Sequence, residues 1–250
     1  MNGISWQLPA LMLSSFFSVN IVGFYSLGLV VLKMPLNIIS SALSQVFYQK
    51  ACEGKNVKGC NDELVESLMD KLMFIGILPT MILAIVGEEL FSVVFGEKWF
   101  AAGSYTQILA PWAFSWFISS PLSTLFAVYE RQGAALSVDF VFFITRFFSL
   151  YIGGIYNNIY LALGLFSVTG IAAYAFLAAW NIKIAKASLR KIFLMFMRNL
   201  LYSLPVGICL FFVKYMFKLS PIAILVIAVI IGGLHVFTFR SKYLALTMNH

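Results

Sequence analysis

Apolar residues run along this chain in long blocks separated by short polar patches, and that pattern sets the first expectation. Crossing a hydrocarbon core of about 30 Å takes about 20 mostly apolar helical residues. By that length the sequence predicts spanning helices near 6–24, 26–48, 68–87, 103–128, 134–155, 158–181, 196–215 and 220–239. The expected fold class is all-α, a polytopic transmembrane helical bundle of about 8 spans. One connection is long and polar, residues 49–67, with Lys50, Glu53, Lys55, Lys58, Asp62, Glu63 and Glu66. A second, residues 182–198, is strongly basic and reads as an amphipathic helix on the membrane surface. Residues 91–99 are amphipathic and end in Trp99, as interfacial segments do. Two units are expected: a six-helix membrane bundle over 1–181, and over 182–250 a basic cytoplasmic connector followed by two additional transmembrane helices.

Composition strengthens the membrane reading. Hydrophobic residues make up 61% of the 250 and charged residues 11%, against about 25% charged in a soluble domain; mean hydropathy is +0.92. The net charge of +7 does not point to nucleic acid, because the basic residues sit at the ends of apolar runs and form no single face or tail. With eight spans, Lys50, Lys55, Lys58, Lys71, Arg131, Lys183, Lys186, Arg190, Lys191, Arg198, Arg240 and Lys242 fall on the side of the termini. Only Lys98, Lys214 and Lys218 fall opposite. Basic residues accumulate on the cytoplasmic side, so both termini are expected in the cytoplasm. Residues 1–7 lack the basic start of a signal peptide, so the first apolar run reads as a retained span. Cys52, Cys60 and Cys209 make no disulfide scaffold and read as free thiols.

Charge at membrane depth is costly and faces a cavity or a partner when present. In the second span Ser26, Lys33, Asn37, Ser40, Ser44 and Tyr48 recur at spacings of seven, four, three, four and four. At 100° per residue they fall within about 40° of one meridian. A polar stripe of that length suits the wall of a water-filled cavity; a seam between helices is the alternative. In the fifth span Asp139 and Arg146 share a face two turns apart, about 10 Å along the axis, which is too far for a direct pair. Arg146 is the deeper, and a guanidinium matches phosphate oxygens in a bidentate way. The fourth span carries Pro111 and Pro121 with Trp112 and Trp116, and a proline inside a span removes a backbone bond and kinks the helix. Glu88 and Glu89 at a span end read as solvated, and His235 as a satisfied or interfacial histidine.

No nucleotide-binding loop, metal-ligand cluster or nucleophile triad appears in the sequence. A non-enzymatic chain with no cofactor and no metal site is expected.

The stretch SWQLPALMLSSFFSVNIVGFYSLGLVVLKMPLNIISSALSQVFYQKA (residues 5–51) resembles the seventh and eighth helices of bacterial polysaccharide-biosynthesis exporters, the oligosaccharide flippase family. That family includes O-antigen, capsule-repeat and teichuronic-acid-type exporters and lies within the multidrug/oligosaccharidyl-lipid/polysaccharide superfamily. Further along, Phe95, Gly96, Trp99, Ala102, Gly103 and Ser120 to Ser123 follow the family's order of features. The resemblance runs collinearly over most of the chain and fades after about residue 200. It implies transport of undecaprenyl-pyrophosphate-linked oligosaccharide across the bacterial inner membrane by alternating access between two six-helix lobes. Lys33 stands where the family places a cation that meets the pyrophosphate, and Arg146 is a second candidate. With Asp139 and the stripe residues Asn37, Ser40, Ser44 and Tyr48, they complete the candidate cavity. By the resemblance this chain matches only the second lobe plus two extra helices, so it reads as truncated or half-length. The alternative is that another chain or a second copy supplies the other lobe. The expected partners are the lipid-linked oligosaccharide, membrane lipids and that lobe, with no nucleic acid. Cation-coupled multidrug-type efflux, an integral membrane glycan polymerase or acyltransferase, and an inert bundle are the competing readings.

Overall fold

The computed structural model describes residues 2–58, 61–217 and 219–239, with side chains described for all of these except 2–5 and 56–58. Among the described residues every regular element is helical and there is no strand. The helices are α1 (Asn2–Phe16), α2 (Val19–Lys58), α3 (Asp62–Phe95), α4 (Phe100–Ser119), a single turn α5 (Leu125–Val128), α6 (Gln132–Ile155), α7 (Ile159–Ile184), α8 (Leu189–Met216) and α9 (Pro221–Thr238). Six of them, α2, α3, α6, α7, α8 and α9, are long and apolar enough to cross a membrane. At 15 residues α1 reaches only about 22 Å. The chain is a multi-pass helical membrane protein.

Several boundaries differ from the expectation. The first two spans divide at Phe17 and Ser18, not at Tyr25; just before the break Ser14 and Ser15 turn back onto the carbonyl of Leu11. The polar connection expected over 49–67 is mostly helix. Helix α2 runs 40 residues, about 60 Å, so its polar third projects past the hydrocarbon core. The basic connector at 182–198 is not a separate surface helix. α7 continues to Ile184, a turn follows in which Lys186 has φ 61°, and Ser188 Oγ accepts from Lys191 N to start α8. The fourth span changes helix type at Pro121: α4 ends at Ser119, the chain tightens into a 3₁₀ turn over Pro121–Thr124, and the single turn α5 follows directly. Proline has no N–H to donate and its ring crowds the preceding turn. Pro111, by contrast, sits within the continuous α4.

A large core joins α1 through α4, α6 and α7, with Leu13, Leu32, Leu72, Leu109, Trp112, Phe117 and Leu163 fully buried. A smaller cluster seats α8 and α9 on the upper half of α3 through Leu78, Val86, Val206, Leu210, Ile224 and Ala228. Small residues let the helices approach where no hydrophobic drive separates protein from lipid. At Gly103 on α4 a Cβ would stand 2.5 Å from Glu88 Cα and 2.6 Å from the Gly87 carbonyl oxygen. Those are backbone atoms of α3 and cannot step aside. Gly103→Ala is therefore expected to destabilise the bundle by about 1–3 kcal/mol. Gly23→Ala, whose Cβ meets nothing within 4 Å, should leave the detergent melting temperature unchanged or slightly raised.

Polar contacts at each end of the bundle fix which termini of helices lie together. At one end Lys55 Nζ donates to the Val128 carbonyl (2.8 Å) and pairs with Glu130, and Asn61 Nδ2 donates to Tyr129 Oη at 3.1 Å. Lys191 pairs with Glu66, and Arg198 pairs with Asp70 at 2.6 Å. The segments carrying Lys55, Arg131, Lys186, Lys191 and Arg198 thus share one end. Lys214 lies at the opposite end with Glu88 and Glu89 (3.0 and 3.1 Å). Those two glutamates are not simply solvated, as the sequence suggested; they clamp a lysine whose side chain is 8% exposed. The reason is a kink in α3 at Val86 (φ −110°, ψ 19°). It opens the Ile85 carbonyl to Lys214 Nζ (2.9 Å) and Gln107 Nε2 (2.8 Å). His235 is buried and stacks near Phe239 at 4.8 Å. Cys52 and Cys209 are free thiols. Cys60, Lys218, Arg240 and Lys242 lie outside the described residues.

Candidate functional site

Trp6 of α1 is the centre of the site. Lys33 Nζ of α2 stands 3.5 Å from the centroid of its ring, and Arg146 Cζ of α6 stands 4.5 Å from the same centroid. The two cationic centres are thus at most about 8 Å apart, the limit set by those two distances, and at an effective dielectric of about 20 they repel by roughly 2 kcal/mol. Trp6 lies ten residues from Phe16 at the end of α1, about 15 Å along the helix, a distance equal to half the thickness of a bilayer core.

Each cation is held differently. The Lys33 ammonium also lies 4.8 Å from the Trp116 ring; among the described residues it makes no salt bridge and no hydrogen bond. Two indole faces hold it, each worth about 0.5–2 kcal/mol. Arg146 is 6% exposed, donates from Nη2 to Tyr174 Oη at 3.1 Å, and packs over Phe142 at 5.5 Å. Tyr174, on α7, stacks on Phe142 at 4.5 Å. A buried tyrosine hydroxyl needs a partner, and the guanidinium supplies it.

Beside this cluster opens a cavity of about 200 Å³ lined by Trp6, Trp116, Ser120, Ser123, Asp139, Phe142, Arg146, Tyr174 and Leu177. Ser120, at the end of α4, and Ser123, in the 3₁₀ turn that follows, both stand in its wall. Asp139 is half-buried and forms no salt bridge among the described residues, as its two-turn separation from Arg146 implied. Lys33 does not line the cavity; it touches the two tryptophans that do.

Of the residues read from the sequence, Lys33, Arg146 and Asp139 therefore converge. The rest of the stripe does not join them. Ser40 is buried, Ser44 half-buried with its Oγ donating to the Ser40 carbonyl (2.7 Å), and Asn37 and Tyr48 are exposed. Those four continue along α2 away from the cavity, with Tyr48 about 22 Å beyond Lys33. Trp6, Tyr174, Ser120 and Ser123 were not foreseen as site residues. Nothing local marks Tyr174, which shares the apolar run 159–180 with the hydroxyls of Tyr160, Ser167 and Thr169.

Residues 1–103 match the family model described as polysaccharide biosynthesis protein. That range covers α1 to α3 and the start of α4, and with them Trp6, Lys33, Asn37, Ser40, Ser44 and Tyr48; Asp139, Arg146 and Tyr174 lie beyond it. The match agrees with the resemblance read from the sequence and supports a role in polysaccharide biosynthesis or export. No curated protein and no solved structure matches the chain.

Proposed function

We propose that this chain of the polysaccharide biosynthesis type carries an undecaprenyl-pyrophosphate-linked oligosaccharide across the inner membrane by alternating access, with both termini cytoplasmic and no bond chemistry of its own. The observation that supports this reading is the pair of cations over Trp6 at mid-membrane depth. An anion reaching both turns their mutual repulsion into two attractions, which an uncharged ligand does not. Pyrophosphate has the charge and the several oxygens to meet an ammonium and a guanidinium together. A phosphate oxygen is a stronger partner for Lys33 than an indole face, so it draws the ammonium off Trp6 and Trp116. Ser120, Ser123 and Asp139, which line the cavity, would hydrogen-bond the first sugar. Asn37, Ser40, Ser44 and Tyr48 offer the same along α2 toward the polar end.

The aromatic lining and Asp139 also suit a lipophilic cation, as in multidrug-type efflux, but two cations against one carboxylate favour an anion. Trp6, Trp112 and Trp116 sit within 6.3 Å of one another in pairs through Trp6, so tryptophan fluorescence reports on the site. Titrating the purified chain with undecaprenyl pyrophosphate should change that fluorescence, and undecaprenol should not. Lys33→Gln should weaken the response by about tenfold or more, the loss of one charge-assisted contact. Saturable binding of tetraphenylphosphonium with no response to the pyrophosphate lipid would sink the proposal in favour of efflux.

A further inference from the structure

A second cationic place lies well away from Trp6, between α2 and α3 near their hairpin. Lys50 and Lys71 line a cavity of about 80 Å³ with Ser67 and an apolar floor that includes Leu43, Val46 and Leu68. The spacing builds it: Leu43, Val46 and Lys50 share one face of α2, and Ser67, Leu68 and Lys71 share one face of α3. Because the helices are antiparallel and the hairpin is short, the two lysines come level. Lys71 feels the charge of Lys50, and among the described residues neither forms a salt bridge. The carboxylates next in sequence to Ser67 and Lys71 are engaged elsewhere, Glu66 with Lys191 and Asp70 with Arg198 and Asn199. Elsewhere at this end of the bundle, Lys55, Lys191 and Arg198 each meet an acid.

Depth identifies the ligand class. Lys50 lies about 46 Å along α2 from Val19, and Lys71 about 36 Å along α3 from Phe95. Both distances exceed the hydrocarbon core of about 30 Å, so both lysines lie beyond its apolar interior, on the polar side of its edge. Two unpaired ammoniums and a hydroxyl at that level, above a strip of Leu and Val that runs back toward the core, fit a phosphate with an acyl chain attached. Basic pockets between membrane helices take anionic headgroups in this way. We infer that Lys50, Lys71 and Ser67 bind the phosphate of an anionic membrane lipid, distinct from the cargo site at Trp6. The bound lipid would neutralise the two lysines and staple the α2–α3 hairpin to one leaflet.

Native mass spectrometry of the purified chain tests this with phosphatidylglycerol and phosphatidylcholine of equal acyl length. The wild type should retain one phosphatidylglycerol in preference to phosphatidylcholine by about thirtyfold, the effect of two lysines at a leaflet surface. Lys50→Gln with Lys71→Gln should bind the two lipids alike. Lys186→Asn with Arg190→Gln removes two exposed charges from the same end and should keep the preference. Equal loss in both double variants, or loss in neither, assigns binding to bulk charge and overturns the inference. Displacement of the lipid by millimolar inorganic phosphate overturns it differently, making the groove a site for the free ion. If the double variant loses helicity by circular dichroism, Lys71→Gln alone decides. It should reduce the preference about fivefold, and an unchanged preference rejects the site.

Discussion

Lys33→Ala is expected to reduce surface glycan by tenfold or more while the amount of membrane-inserted chain stays at the wild-type level. The two halves of that expectation have separate physical grounds. Among the described residues the ammonium is held by the faces of Trp6 and Trp116 alone, worth about 0.5–2 kcal/mol each. Placing a lysine at the centre of a bilayer costs about 2.5–3.5 kcal/mol on insertion scales. Removing it therefore costs the fold little and relieves its repulsion with Arg146. Function is different, because one charge-assisted contact to an anionic cargo is worth about 1.5–3 kcal/mol. Surface glycan by immunoblot, set against membrane-fraction abundance of the same variant in its own host, reads both quantities. Lys33→Arg keeps the charge and should retain part of the activity. Normal glycan in the alanine variant would remove Lys33 from the site.

The second large effect is expected at the other end of the molecule and is one of stability. Lys214→Met should lower the melting temperature in detergent by roughly 10 °C, because removing one partner of a buried pair costs about 3–5 kcal/mol. Lys214 neutralises both Glu88 and Glu89 and also donates to the Ile85 carbonyl exposed by the α3 kink. Without it two carboxylates, 23% and 12% exposed, are left without a cation among the described residues, where Ser104 still donates to Glu88. Adding Glu88→Gln and Glu89→Gln should restore most of the loss, since replacing every member of a buried ionic group is far cheaper than removing one. A Lys214→Met chain as stable as the wild type would mean that the clamp contributes nothing.

These two lysines differ in how legible they were. Lys33 stood out in the sequence because it interrupts an apolar run at mid-span, and such a cation needs a reason to be there. Lys214 looked like an ordinary flanking charge, and Glu88 and Glu89 like ordinary solvated acids. Their bond spans 126 residues, and no local pattern encodes a pairing at that distance. The same holds for Glu66 with Lys191, 125 residues apart, which drew the basic connector out of its expected place on the membrane surface. Helix ends were misjudged where hydropathy was the guide. A polar helix such as the last third of α2 and a polar loop have the same hydropathy, so only the continued backbone bonding tells them apart.

By itself the sequence determined the membrane class, the run of long helices, the gathering of basic residues into one set of connections, and the presence of Lys33 and Arg146 at depth. All of these are local quantities: a hydropathy sum, a residue spacing, a charge beside an apolar block. Only the tertiary structure decided that Lys33 and Arg146 share one tryptophan. It also decided that Ser120 and Ser123 line the cavity wall, and that the rest of the polar stripe runs along α2 away from it. Each of those depends on how α1, α2, α4, α6 and α7 pack, and packing is set by side-chain shape summed over helices far apart in the chain.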